Sequence, residues 1–145
     1  NPSDLDARDD CLYGAWLCGT VLGNVGMALH HKLCHTLGGS FNLPHAQTHT
    51  IVLPHAIAYN QSAAPGLSRI CRALNVEDCS PAAALFDLSS SLGAPTRLKD
   101  LGLTEADLDR ATDIAMSNPY WNPRPIEAVA IRQLLQNAFD GERPQ

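Results

Sequence analysis

Apolar residues recur at helical spacing along most of the chain's 145 residues. Leu5, Leu12, Ala15, Trp16, Gly19 and Leu22 share one stripe and predict a first amphipathic helix. Ser3-Asp4-Leu5-Asp6 resembles its capping box with Ser3 as N-cap, and Asp4, Asp6, Asp9 and Asp10 crowd the positive end of the helix dipole. Gly19, Gly23 and Gly26 weaken the helix, permit close packing against a neighbour and predict a break near Asn24. A second helix then spans Met27 to Leu37 and stops at Gly38-Gly39, where glycine supplies a left-handed cap. Asn42-Leu43-Pro44 starts a third, which keeps His45, His49, Val52, Ala56 and Tyr59 on one face, bends at Pro54 and ends near Asn60.

Further on, Leu67, Ile70, Cys71 and Leu74 follow the same rule after Pro65. Ser80-Pro81 caps a helix carrying Leu85, Leu88 and Leu92 toward Gly93 and Pro95. Thr104 to Asp107 forms another capping box, with Leu103 and Leu108 at the spacing of a hydrophobic staple. The last helix runs from about Pro125 to Phe139, buries Ile131, Leu134, Leu135 and Ala138, and ends at Gly141. Six or more helices and no convincing strand predict an all-α, bundle-like single domain over residues 1–145.

Composition narrows the setting. A 45% apolar and 17% charged chain is an ordinary globular domain, and a net charge of -5 without any basic run argues against nucleic acid or an anionic membrane as partner. No apolar run reaches the ~20 residues that span a bilayer. Cys11, Cys18, Cys34, Cys71 and Cys79 are odd in number and lack a C-x-x-C pair, so reduced thiols and a cytoplasmic location are expected. The chain opens on Asn1-Pro2-Ser3 without an initiator Met, directly in a helix cap, which predicts a piece of a longer protein.

All six histidines fall between residues 30 and 55. On a helix His31 and His35 lie one turn apart on one face, and His45, just after Pro44, can reach the same point from a second element. Neutral imidazole is a common ligand of first-row metals and titrates near neutrality, so these three form the candidate group. His30 diverges by about 100 degrees from His31 and reads as structural. His55, beside Pro54, reads as a packing or capping group, while His49 lies one turn beyond His45 and is placed equally well inside or outside the site. Cys34 neighbours His35 on a helix, where adjacent side chains diverge, so a Cys/His nucleophile pair is not expected. The chain has no G-x-S-x-G, P-loop or G-x-G-x-x-G, and Lys32 stands where H-E-x-x-H needs glutamate.

The run from Gly26 through His30-His31-Lys32-Leu33-Cys34-His35 to Gly39, followed by Leu43-Pro44-His45 and Leu53-Pro54-His55, resembles the signature of the iron-containing alcohol dehydrogenase superfamily. Within it the chain is most similar to the maleylacetate reductases. The resemblance implies the C-terminal helical domain of a dehydroquinate synthase-like, two-domain oxidoreductase, with an α/β nucleotide-binding domain elsewhere and the active site in the cleft between them. It places two metal ligands, for Fe2+ or Zn2+, on His31 and His45, fourteen positions apart, and a catalytic and nicotinamide-facing histidine on His35. His49 is the second catalytic candidate. Many superfamily members show P-H-G, whereas Pro44-His45-Ala46 stands here, followed by Gln47-Thr48-His49-Thr50. That variation leaves His45 open to another role, holding a substrate carboxylate or water.

The implied reaction is reduction of maleylacetate, a dianion, to 3-oxoadipate by NADH or NADPH in the breakdown of aromatic compounds, by an enzyme expected to be a homodimer. Protonated imidazoles at His31, His35 and His45 suit such a substrate. Two other readings stay open: an iron-dependent alcohol dehydrogenase domain, and a helical metal-binding or interaction module without turnover.

Overall fold

The computed structural model describes residues 1–76, 80–118 and 120–145. In chain order it contains α1 (Leu5–Leu22), α2 (Leu29–Phe41), α3 (His45–Asn60), α4 (Arg69–Ala73), α5 (Pro81–Ser91), α6 (Asp107–Met116) and α7 (Ala128–Asp140), with short 3-10 turns at Pro65–Ser68 and Leu98–Leu101. Among the described residues there is no strand, so the all-α reading holds. No helix is long and apolar enough to cross a membrane. Cys79 lies outside the described residues.

The core sits where α2, α3, α6 and α7 meet. Leu29, Leu33 and Leu37 repeat every fourth residue along one face of α2 and are fully buried against Ile51 and Val52 of α3 and against Leu108, Ala111 and Ala115 of α6. From α7 the four residues of the expected stripe, Ile131, Leu134, Leu135 and Ala138, complete it. Each fully buried leucine or isoleucine contributes about 1.5 to 3 kcal/mol, so this cluster holds the N-terminal halves of α2 and α3 rigidly side by side. At α6 the N-cap is Ala106, without a side-chain cap bond, and not Thr104. Leu103 and Leu108 are both buried, and the Asp107 carboxylate accepts from the Thr104 amide at 3.0 Å and from its hydroxyl at 2.6 Å.

Several expectations are corrected. The N-cap of α1 is Asp4, whose carboxylate accepts from the Ala7 amide, rather than Ser3. None of the residues of α1 is buried, so its apolar stripe faces outward, and Gly19 and Gly26 have open space beside them instead of a closely packed neighbour. Gly38 and Gly39 remain helical. α2 continues to Phe41 because the extra turn lets Leu43 bury, and Asn42, which tolerates the left-handed region, takes the cap at φ 55°. In α5 it is Ala82, Ala83 and Ala84 that are buried, while Leu88 and Leu92 are exposed, since small side chains let α3 come close. α7 begins at Ala128 and not near Pro125 because Tyr59 intercepts the preceding backbone. Its hydroxyl donates to the Pro125 carbonyl at 2.6 Å and accepts from the Glu127 amide at 3.3 Å.

Candidate active site

The histidines come from the first turns of two adjacent helices. α2 carries His30, His31 and His35, and α3, entered through the extended residue Pro44, carries His45 and His49. Residues four apart stack on one helical face. Accordingly His31 and His35 have ring centroids 6.1 Å apart, and His45 and His49 are 4.1 Å apart.

His49 is where the two helices join. Its ring lies 4.9 Å from that of His30 and 5.2 Å from that of His31, in both cases nearly perpendicular, in addition to the His45 contact. His30 also bonds from Nε2 to the His49 carbonyl at 3.1 Å. A carbonyl only accepts, so His30 carries its proton on Nε2. His30 and His31, expected to diverge along α2, nonetheless have ring centroids 5.1 Å apart, edge to face, and His49 of α3 packs against both. His35 and His45 are exposed at the edges, and His31 and His49 are partly buried.

Five imidazoles in ring contact oppose one another's charge. Burial lowers the pKa of His31 first, and positive charge on His35 and His45 lowers it further. His49 is pushed down to about 4 by burial and then by His30, His45, His31 and His35. His30 is lowered by burial, with its bond to the His49 backbone acting in the opposite direction. Both causes disfavour the charged form of His31, and a bound anion would act in the opposite direction.

His55 sits apart from this cluster. It is buried, with its ring edge-on to Phe86 at 6.4 Å, and burial pushes it down to about 4. Beside the cluster a groove of about 550 Å³ runs between the last turns of α1 and the face of α3, walled by Leu17, Val21, Leu53, Ile57 and Trp121, with His30 and His31 at its rim.

The metal reading can be tested against the donors. Among the described residues, the one set of three or more His, Cys or carboxylate side chains whose donor atoms converge is His30, Cys34 and His49, all within 4.8 Å of one another. His31 and His45 belong to no such set. Two imidazoles alone cannot form such a set, and this pair would hold a metal only together with further ligands. The sequence signal for this set is the spacing of His30 and Cys34, four residues apart on one face of α2.

Residues 1–139 match the Fe-containing alcohol dehydrogenase family, C-terminal. The maleylacetate reductase of Pseudomonas sp. (strain P51) is 61% identical over 145 residues, which cover 99% of this chain and 41% of that protein. A crystal structure from Ralstonia eutropha JMP134, of a protein described as an alcohol dehydrogenase, matches with a TM-score of 0.97 and 68% identity, over 100% of this chain and 41% of the other. The crystal structure of maleylacetate reductase from Rhizobium sp. strain MTP-10005 matches with a TM-score of 0.93 and 53% identity, over 99% of this chain and 41% of the other. The chain thus spans about two fifths of the length of these relatives.

Proposed function

The chain belongs to the iron-containing alcohol dehydrogenase family, and from that premise we propose that it is the helical domain of a maleylacetate reductase, acting in the cytoplasm within a homodimer and together with an α/β nucleotide-binding domain. The observation that carries this reading is the 61% identity to a maleylacetate reductase over 99% of the chain. The alcohol dehydrogenase reading has the descriptions of several structural relatives in its favour. It has less support from the cluster, whose crowded imidazoles suit a dianion better than a neutral alcohol.

Bound NADH or NADPH would supply hydride to the carbon-carbon double bond of maleylacetate. This chain's part is to hold the substrate and handle the proton. His31 and His45 stand on different helices, each in ring contact with His49, and are the pair assigned to a substrate carboxylate. Negative charge entering the cluster opposes the burial and mutual repulsion that lower the His31 pKa, so bound substrate favours a proton there. His35, exposed on α2, is the residue that the family resemblance assigns to the nicotinamide. The chain contains no G-x-G-x-x-G, and the phosphates of the cofactor belong to the nucleotide-binding domain.

The test is steady-state kinetics of the enzyme that carries this domain, with maleylacetate and with primary alcohols as competing substrates. Maleylacetate-dependent oxidation of NADH or NADPH is expected, with KM raised in His31→Ala and His45→Ala and kcat lowered in His35→Ala and His49→Ala. The 145-residue chain alone is expected to show no turnover. Activity on alcohols without activity on maleylacetate, or wild-type rates in all four variants, would overturn the assignment.

A further inference from the structure

We propose that His30, Cys34 and His49 form a zinc-binding site that ties α2 to α3 beneath the histidine cluster, separate from the His31 and His45 pair. The three donors come from two rigid helices. His30 and Cys34 are four residues apart on one face of α2, and His49 projects from the facing turn of α3. Their donor atoms all lie within 4.8 Å of one another. A tetrahedral zinc ion with bonds of about 2.0 to 2.3 Å needs donors roughly 3.3 to 3.8 Å apart, so the three side chains close in by rotation and a water molecule takes the fourth position.

Two further observations point to a ligand. The Nε2 atom of His49 is closed off from solvent and has no hydrogen-bond partner, and a buried polar atom without a partner is costly unless something else satisfies it. In addition, Nε2 of His30 donates to the His49 carbonyl at 3.1 Å. This is the outer bond that ligating imidazoles commonly make: it fixes the ring and leaves Nδ1 as the lone pair. The donor chemistry selects the ion. Burial pushes the Cys34 thiol up to about 12, so zinc binds by displacing its proton to solvent; the resulting thiolate with two imidazoles is a borderline-soft set that suits zinc, whereas the hard, carboxylate-containing sets that favour Mg2+ or Mn2+ are not assembled by these residues. Cys34 is 1% exposed, so the sulfur is shielded from the oxidation and exchange that exposed thiols undergo.

The site is tested on the chelator-stripped 145-residue chain by titration with Co2+ as spectroscopic probe, followed by displacement with Zn2+. Folding of every variant is monitored by far-ultraviolet circular dichroism. The expected result is one equivalent of Co2+ with a thiolate-to-cobalt charge-transfer band and tetrahedral d-d bands, both removed by Zn2+. Cys34→Ser should abolish the charge-transfer band, and His30→Gln and His49→Gln should weaken binding by more than about tenfold. His31→Ala and His45→Ala should bind as wild type. If Cys34→Ser does not fold, His49→Gln and His30→Gln, which keep the thiol, decide the matter alone. The proposal is overturned if the wild-type chain shows no thiolate band, if the band persists in Cys34→Ser, or if binding is lost in His31→Ala or His45→Ala while His30→Gln and His49→Gln retain it. None of these readouts depends on turnover, so failure of the reductase reading leaves the site standing and the converse holds equally.

Discussion

Asn60 and Asn122 exchange two hydrogen bonds, with Asn60 Nδ2 donating to Asn122 Oδ1 at 3.1 Å and Asn122 Nδ2 donating to Asn60 Oδ1 at 2.7 Å. Asn122 Oδ1 also accepts from the Leu29 amide at 3.4 Å, and its Nδ2 donates to the Arg124 carbonyl at 2.7 Å. The first residue of α2, the last residue of α3 and the segment leading to α7 therefore meet at one carboxamide. That junction sets where α2 begins, and with it where His30 and His31 sit.

Removing the carboxamide in Asn122→Ala leaves Asn60 and the start of α2 without these partners. The expected loss is about 1 to 3 kcal/mol, read from denaturant midpoints, with faster amide exchange at residues 29–31. An unchanged midpoint together with unchanged exchange would show that the junction is incidental.

Gly141 caps α7 at φ 75°, and a Cβ there would strike the Arg97 side chain and approach the Thr96 carbonyl to 3.2 Å. Gly141→Ala adds left-handed strain of about 1 to 2 kcal/mol to that clash. Thermal unfolding should show the loss. Adding Arg97→Ala should restore only the steric part, and full stability of the single variant would contradict the argument.

Burial holds the folded-state pKa of His55 at about 4 against an ordinary value of 6.5. Between these values the unfolded chain binds the proton and the folded chain does not. Stability on this account is present above pH 6.5 and is lost as pH falls toward 4, by up to about 3 kcal/mol. His30, His31 and His49 are lowered as well and add slopes of the same sign. The difference between wild type and His55→Leu isolates the buried residue: the variant should lose less stability between pH 7 and pH 5. Parallel pH profiles for the two proteins would count against this assignment.

Leu12, Tyr13 and Trp16 of α1 are all more than half exposed, with Leu12 at 68% and Trp16 at 62%. Tyr13 and Trp16 stack at 5.8 Å on this outward face. Apolar patches of several hundred Å² seldom remain in water, so the 145-residue chain is expected to pair with a second copy through α1. Sedimentation should show concentration-dependent association that Leu12→Ser with Trp16→Ser weakens. A single monomeric species at every concentration would refute it.

The sequence by itself determined the helices that local chemistry specifies. Ser80 and Pro81 start α5, the bonded pair of Thr104 and Asp107 lies at the start of α6, and Gly141 ends α7; each signal acts within a few residues and does not wait for the fold. The buried stripe of α7 was legible for the same reason, because a period of 3.6 already states which side turns inward. The family signature, and with it the six clustered histidines, was legible as a pattern.

Tertiary structure alone decided what depends on a distant partner. α2 runs past two glycines because Leu43 finds a core to enter, and α7 starts late because Tyr59, more than sixty residues earlier in sequence, takes up the backbone that would have been its first turn. The outward face of α1 obeys helical periodicity as well as any buried stripe does, and periodicity reports sidedness without saying what covers it. Most consequential is His49: its spacing from His45 left it evenly placed, and the approach of α3 to α2 put its ring against His30, His31 and His45. Angles along one helix are fixed by local geometry, whereas the distance between two helices is set by the leucines and alanines packed beneath them.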